Sequence, residues 1–335
     1  MHVNRSSALP FPAVDAYPPG VTADLQRVES KLTAVARSSR EPRLTEITHH
    51  LIGAGGKRVR PLTALLVFYA CVPEGEAGRR DDMTDVATAL ELIHSATLLH
   101  DDIIDGSDRR RGRPSALRQF GMADTLVAGD FVFCRAFELC ARFEEKVVRW
   151  AADACVSLTE GEMLQSRLRS DPAVTVDDYL EIVARKTASL FSQGARVAAY
   201  LAGAEEAIQD LAAEAGHHIG MAFQMIDDLL DVVGQSSVTG KPTSADLRDG
   251  NPSLPIVLAL ERDPEVRRLF SKPALNEQEI AHTIARIEAS GVLGAVQARA
   301  NEHVAVALDH LRLLPNTPAL EALVILAQGI ASRSV

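Results

Sequence analysis

Leu90–Pro114, LELIHSATLLHDDIIDGSDRRRGRP, is the stretch that decides the reading of this chain. An apolar run closes on three carboxylates, Asp101, Asp102 and Asp105, and the basic run Arg109–Arg111 follows. Residues four apart are neighbours on a helix, so Asp101 and Asp105 share a face, where like charges repel by about 0.2–0.5 kcal/mol even at a wet surface. A hard divalent cation with oxygen ligands relieves that repulsion, and Mg²⁺ usually shares its carboxylates with substrate phosphates. FQMIDDLLD repeats the spacing at Asp227, Asp228 and Asp231. One acidic cluster alone reads as a solvated face. Two copies, each at the end of an apolar helix, read as ligand sets facing each other across a cavity. Several Mg²⁺ ions (or Mn²⁺) and a phosphorylated ligand would lie between them.

The remainder of the chain agrees with a helical frame. It has 335 residues, 47% of them hydrophobic, which is ample for a sizeable core. Aromatics are only 4% while Ala and Leu abound, and this favours helix over sheet. The net charge of -10 argues against a nucleic-acid partner, so the local Arg clusters read as anion sites. Cys71, Cys134, Cys140 and Cys155 have no CxxC spacing, which disfavours a zinc site or disulfide framework. Reduced thiols, no signal-peptide pattern and no apolar run of about 18 residues lead us to expect a cytoplasmic protein.

Taken in order, residues 1–20, rich in Pro, read as a flexible tail, and one all-α domain is expected over residues 21–335. The periodicity places helices from Val21, over Arg43–Ile52, Leu62–Ala70, Asp82–Ile104, Ala116–Phe120, Thr125–Phe143, Val147–Leu168, Val176–Leu190, Ser192–Leu201, Ala207–Val233 and Leu254–Leu260. Three more fall at about 276–290, 294–313 and 317–333. Segments 106–114 and 234–253 read as loops, and no strand is expected. The whole is a single-domain helical bundle around a central cavity. Lys57 and Arg60, beside the Gly-rich turn Gly53–Gly56, suit a diphosphate clamp. His94 lies two turns before Asp101 on the same side, and Gln224 lies nearly on the face of Asp227. No nucleophile–base pair is evident. Such a site is built to pull a leaving group away and leave a cation in an apolar pocket.

Five segments, GGKRVRP (55–61), HSATLLHDDIIDGSDRRRGRP (94–114), AGDFVFCRAFEL (128–139), ARKTASLF (184–191) and FQMIDDLLDVVG with GKPTSADLRDGNPSLP (223–255), carry a resemblance. Through them the chain resembles the trans-isoprenyl diphosphate (polyprenyl) synthase family. The resemblance implies the isoprenoid synthase fold and head-to-tail condensation of isopentenyl diphosphate with an allylic diphosphate. It implies that both Asp triplets hold a Mg²⁺ cluster and that Arg110, Lys186 and Lys241 contact the allylic diphosphate. Lys57, Arg60, His94 and Arg111 would bind isopentenyl diphosphate, and Thr187 and Gln224 would face the carbocation. A homodimer, with at most transient membrane contact for product release, is also implied. Ala116-Leu117 and Ser244-Ala245 depart from the family pattern and leave local substrate contacts open.

Other readings fit parts of the sequence. Glu46-x-x-His49, Glu91-x-x-His94 and Glu214-x-x-His217 match a di-iron motif but leave the Asp triplets unexplained. A class I terpene cyclase would carry an Asn/Ser/Glu second motif. A non-catalytic subunit of a two-component synthase would usually lack the triplets. The residues one turn before Asp101, Ala96 and Thr97, are small, and no aromatic occurs from Asp85 to His100. In this family a bulky aromatic there stops product growth, so the expected product is longer than C15. Phe131 and Phe133 on the neighbouring helix are candidates for a deeper floor. Replacing Ala96 by Phe should therefore shift the products, resolved by chain length, toward shorter prenyl groups; an unchanged distribution would remove Ala96 from the pocket.

Overall fold

The structure, a computed structural model, describes residues 17–73, 78–234 and 244–332. Helices run in the order α1 (Pro19–Ala36), α2 (Pro42–Ile52), α3 (Val59–Cys71), α4 (Arg80–Ile104), α5 (Ala116–Phe120), α6 (Met122–Cys140), α7 (Glu145–Arg167) and α8 (Val176–Val183). A π-helical turn, Ala184–Ala188, leads without a break into α9 (Ser189–Leu201). There follow α10 (Glu206–Val233), α11 (Ala245–Asp249), α12 (Leu254–Arg262), α13 (Pro264–Phe270), α14 (Glu277–Ala289), α15 (Val292–Leu311) and α16 (Pro318–Ala331). Between α4 and α5 the polar loop folds into an antiparallel two-residue ribbon, pairing Arg109 with Pro114 and Arg110 with Arg113.

The all-α expectation holds, with local differences. Of the tail expected over 1–20, residues 1–16 lie outside the described residues, while Tyr17 is buried and α1 begins at Pro19. A break expected near Phe191 falls instead at the π-turn. Two short helices, α11 and α13, escaped the periodicity because each is under two full turns. Helix α3 starts at Val59, ahead of the expected Leu62, which puts Pro61 at its third position.

The two longest helices frame the site. Helix α4 runs 25 residues without Gly or Pro, with Asp81 and Asp82 in its first turn, where they complement the helix dipole. Helix α10 runs 28 residues and stops at Gly234, whose φ of 75° lies in the left-handed region that glycine adopts at least cost. Helix α3 is buried along nearly its whole length, and α9 packs against it and against α10. Phe68, Phe191, Leu92 and Leu99 are fully buried in the resulting core. Two glycines let backbones meet. A Cβ on Gly161 of α7 would lie 2.6 Å from Lys186 N, and one on Gly220 of α10 would lie 2.7 Å from Ala188 Cα. The π-turn is thus clasped between α7 and α10. Isolated π-turns of this kind occur frequently at functional sites.

A buried ion pair ties α3 to α4. Arg58, at the start of α3, donates to Glu91 at 2.6 Å with both side chains almost out of solvent, and it also pairs with half-exposed Glu29. Glu91 is therefore committed to an arginine, which removes one of the three pairs behind the di-iron reading. Replacing Arg58 by Ala strands a buried carboxylate and should cost about 3–5 kcal/mol of stability, read as a lower urea midpoint. Glu29→Ala should cost no more than about 1 kcal/mol; comparable losses from both would show that the Arg58–Glu91 pair is not the tie.

Candidate active site

Each Asp triplet divides its labour. The second carboxylate of each is buried and consumed by the protein itself. Asp102 accepts hydrogen bonds from Arg110 Nε and, at 3.1 Å, from the Ala116 backbone N–H, so it anchors the ribbon and α5 to α4. Burial raises its pKa above the usual carboxylate value, and Arg110 opposes that rise. Asp228 accepts from Tyr179 Oη at 2.7 Å, Gln224 Nε2 at 2.8 Å and Leu254 N–H at 3.3 Å, joining α8, α10 and α12. Burial pushes Asp228 up to about 7, against the pull of those donors. Asp231 accepts from the N–H groups of Ala245 and Asp246, both at 3.1 Å, and so holds the start of α11.

The other three acids each meet a cation. Asp101 lies 3.7 Å from Lys186 Nζ, Asp227 lies 4.0 Å from Lys57 Nζ, and Asp105 pairs with Arg169. None of these three cations comes from the triplet's own helix. The π-turn joins the two triplets. Its Lys186 reaches Asp101, while its neighbour Thr187 donates to Gln224 Oε1 at 3.0 Å, and Gln224 in turn reaches Asp228. Lys186 also donates to Gln165 Oε1 at 2.8 Å and pairs with Glu162 on α7. Burial draws the Lys186 ammonium down, but Asp101 and Glu162 outweigh it and the pKa ends above the lysine norm. Burial raises Glu162, with Lys186 opposing and Asp101 adding to the rise.

Beside the acids lies a basic pocket. Arg60 is stacked over Phe191 with its guanidinium carbon 5.1 Å from the ring centroid, and its buried Nε has no hydrogen-bond partner among the described residues. Arg111 donates to the Gly55 carbonyl, and burial lowers it to about 10, so it stays charged at neutral pH. His94 is held well below its ordinary pKa by burial and then by Arg60 and Arg111, which keeps the imidazole neutral. Arg58 and Arg111 both adopt left-handed backbone, φ 50° and 51°. Non-glycine residues pay of order 1–3 kcal/mol for such conformations, which cluster at functional sites. Gly56 faces this pocket closely: a Cβ there would lie 2.7 Å from an Arg58 nitrogen and 3.1 Å from one of Arg111. Guanidinium groups gathered around a glycine turn suit an anion, which such a group can hold through two parallel hydrogen bonds.

Lys241 lies outside the described residues. Ala96 is fully buried, whereas Thr97 is half-buried and donates its hydroxyl to the His94 carbonyl at 2.8 Å. Phe131 and Phe133 on α6 are partly buried against the core, and Phe133 packs on Phe137 at 5.2 Å. Glu162, Gln165, Arg169 and Tyr179 join the site without having been singled out from sequence.

The chain is similar to known proteins along most of its length. Residues 41–287 match the polyprenyl synthetase family. The chain is 34% identical to an octaprenyl diphosphate synthase of Haemophilus influenzae, covering 91% of this chain and 92% of that protein. It is 36% identical to a short chain isoprenyl diphosphate synthase of Methanothermobacter thermautotrophicus, covering 87% and 90%. Among solved structures it resembles a polyprenyl synthase from Caulobacter crescentus complexed with calcium and isoprenyl diphosphate. The TM-score is 0.89 at 33% identity, covering 96% of this chain and 98% of that one.

Asp228 gives the site a pH signature. Its folded pKa of about 7 lies above the ordinary 3.8, so the folded state holds a proton that the unfolded state releases. Stability from this group is complete below 3.8 and is lost as pH rises through 7. Tyr179→Phe removes a donor to the carboxylate. It should cost about 1–3 kcal/mol at pH 8, where Asp228 is charged, and less at pH 5. Urea midpoints at the two pH values measure this, and an equal cost at both would contradict the role given to Tyr179.

Proposed function

The chain belongs to the polyprenyl synthetase family and is a prenyltransferase, and we propose how its residues divide the reaction between an allylic and an isopentenyl diphosphate. The observation that carries the proposal is the adjacency of two unlike anion sites. One is acidic and calls for cations, around Asp101, Asp105 and Asp227. The other is basic and calls for an anion directly, around Lys57, Arg60, His94 and Arg111.

The acidic half suits a hard divalent ion. Its three cavity acids offer only oxygen ligands, and each is met by a protein cation, Lys186, Arg169 or Lys57. Asp101, Asp105 and Asp227 would hold Mg²⁺, with Asp102, Asp228 and Asp231 fixing the helices that present them. When bound, Mg²⁺ supplies charge neutralisation that makes the diphosphate a better leaving group. Lys186 and Arg110 border the same space and, with Lys241, would hold the departing diphosphate. The Thr187 hydroxyl donates to Gln224, which leaves its oxygen lone pairs and the Gln224 dipole to face a developing carbocation. In the basic half, Arg60 and Arg111 bind the isopentenyl diphosphate and orient its double bond toward the cation. Neutral His94 contributes a hydrogen bond. No nucleophile–base pair is evident in the sequence, and the released diphosphate would accept the proton.

Small Ala96 and Thr97 below Asp101 support a product beyond C15, of the length made by the octaprenyl relative. Met122, Leu126 and Val127, exposed along α6, offer an apolar face for the proposed homodimer. Among the described residues no helix is long and apolar enough to cross a membrane. The unpaired thiols Cys71, Cys140 and Cys155 are compatible with the proposed cytoplasmic setting.

The purified chain alone, with isopentenyl diphosphate, an allylic primer and Mg²⁺, should form prenyl diphosphates longer than C15. EDTA should abolish turnover, and Asp227→Asn should lower kcat on the order of 10²-fold or more. Turnover that needs a second protein would instead favour the subunit reading.

A further inference from the structure

Away from the diphosphate site, α10 and α15 bring four histidines together. His217 and His218 lie on α10, and His303 and His310 lie on α15. His218 Nδ1 lies 2.8 Å from His303 Nδ1, and the His218 ring stacks on that of His310 with centroids 6.2 Å apart and planes within 13°. Glu214, one turn before His218, completes the group. Ligand atoms of Glu214, His218 and His310 all lie within 4.8 Å of one another. His218 precedes Asp227 by nine residues, about two and a half turns, so it points from the opposite face of α10, about 13 Å along the axis. The cluster therefore shares a helix with the second Asp triplet but not its cavity.

We propose that Glu214, His218 and His310 form a binding site for a borderline divalent transition metal, of which Zn²⁺ is the working probe, bridging α10 to α15. Imidazole nitrogens select such ions over Mg²⁺, whose ligands are oxygens. A Zn²⁺ ion takes nitrogen or oxygen donors at roughly 2.0–2.2 Å, so the three donors need to close by only about 1–2 Å, within side-chain rotation. The ligands come from two helices already packed together, so the backbone needs no rearrangement. Two imidazole nitrogens at hydrogen-bond distance must share one proton. With His218 donating from Nδ1, its Nε2 lone pair is left for the metal and His303 becomes the outer partner that fixes the ring. This is the arrangement usual for metal-bound histidine. Burial and the crowding of His303, His217 and His310 hold His218 near 4, which leaves its lone pair available at neutral pH. The charged neighbours are Glu214, Glu302 and Arg299. Four imidazoles and two carboxylates gather there, with Arg299 the one cation among these neighbours.

The test uses untagged, EDTA-stripped full-length protein, titrated with Zn²⁺ against a chromogenic chelator in excess Mg²⁺. Wild type and Asp227→Asn should take up the same ion. His218→Gln and His310→Gln should lose it, and His303→Ala should weaken it roughly 10–100-fold. Circular dichroism checks that each variant folds. Co²⁺ in the wild type supplies an independent readout, an intense visible absorption of low coordination with imidazole ligands. Zn²⁺ uptake unchanged in the two Gln variants, or a weak six-coordinate oxygen-type Co²⁺ spectrum in the wild type, would overturn the site.

Discussion

Carboxylates gathered at the C-terminal ends of α4 and α10 repel one another, and the rest of the molecule is arranged to contain that repulsion. Half of the charge is internalised. Asp102, Asp228 and Asp231 are bonded to backbone N–H groups or to Arg110, Tyr179 and Gln224, so each acts as a strut between a long helix and its neighbours. The other half, Asp101, Asp105 and Asp227, is balanced by Lys186, Arg169 and Lys57 from other segments. A metal-bound diphosphate would supply the same balance while freeing these cations to grip its oxygens. Architecture and chemistry thus use one set of residues, divided by what each carboxylate meets, a backbone or side-chain donor of the frame or a mobile cation.

That division depends on close backbone packing. Gly161 and Gly220 admit the π-turn between α7 and α10, and the turn sends adjacent residues to different triplets, Lys186 to Asp101 and Thr187 toward Gln224. Ordinary helical winding would space these side chains differently. The basic pocket is likewise set by backbone geometry. Left-handed Arg58 turns inward to Glu91, while Lys57 and Arg60 on either side of it turn toward the cavity. One short basic run thereby serves both a structural ion pair and an anion site.

Much of this was legible in the chain, and its limits are physical. Asp101 and Asp227 could be placed because four-residue spacing marks a helix face and the motif occurs twice. Spacing also groups Asp102 with Asp101, yet one residue is about 100° of helical rotation, enough to carry a carboxylate from the cavity into the core. Glu162, Arg169 and Tyr179 reach the site from segments with no repeated pattern, and only tertiary packing brings them in. The helices with strong periodicity were located well. Those that were missed, α11 and α13, are too short to show a period, and the π-turn differs from an α-helix by a single residue per turn, which periodicity does not resolve.

The central claim is that the acidic half of the site recognises diphosphate only through divalent ions, whereas the basic half needs none. Calorimetry separates the two. Titrating inorganic pyrophosphate into the metal-stripped chain should show little binding, with affinity rising at least tenfold when Mg²⁺ is added and that gain lost in Asp101→Asn. Isopentenyl diphosphate should bind with or without Mg²⁺. Equal pyrophosphate affinity in chelator and in Mg²⁺ would contradict the account.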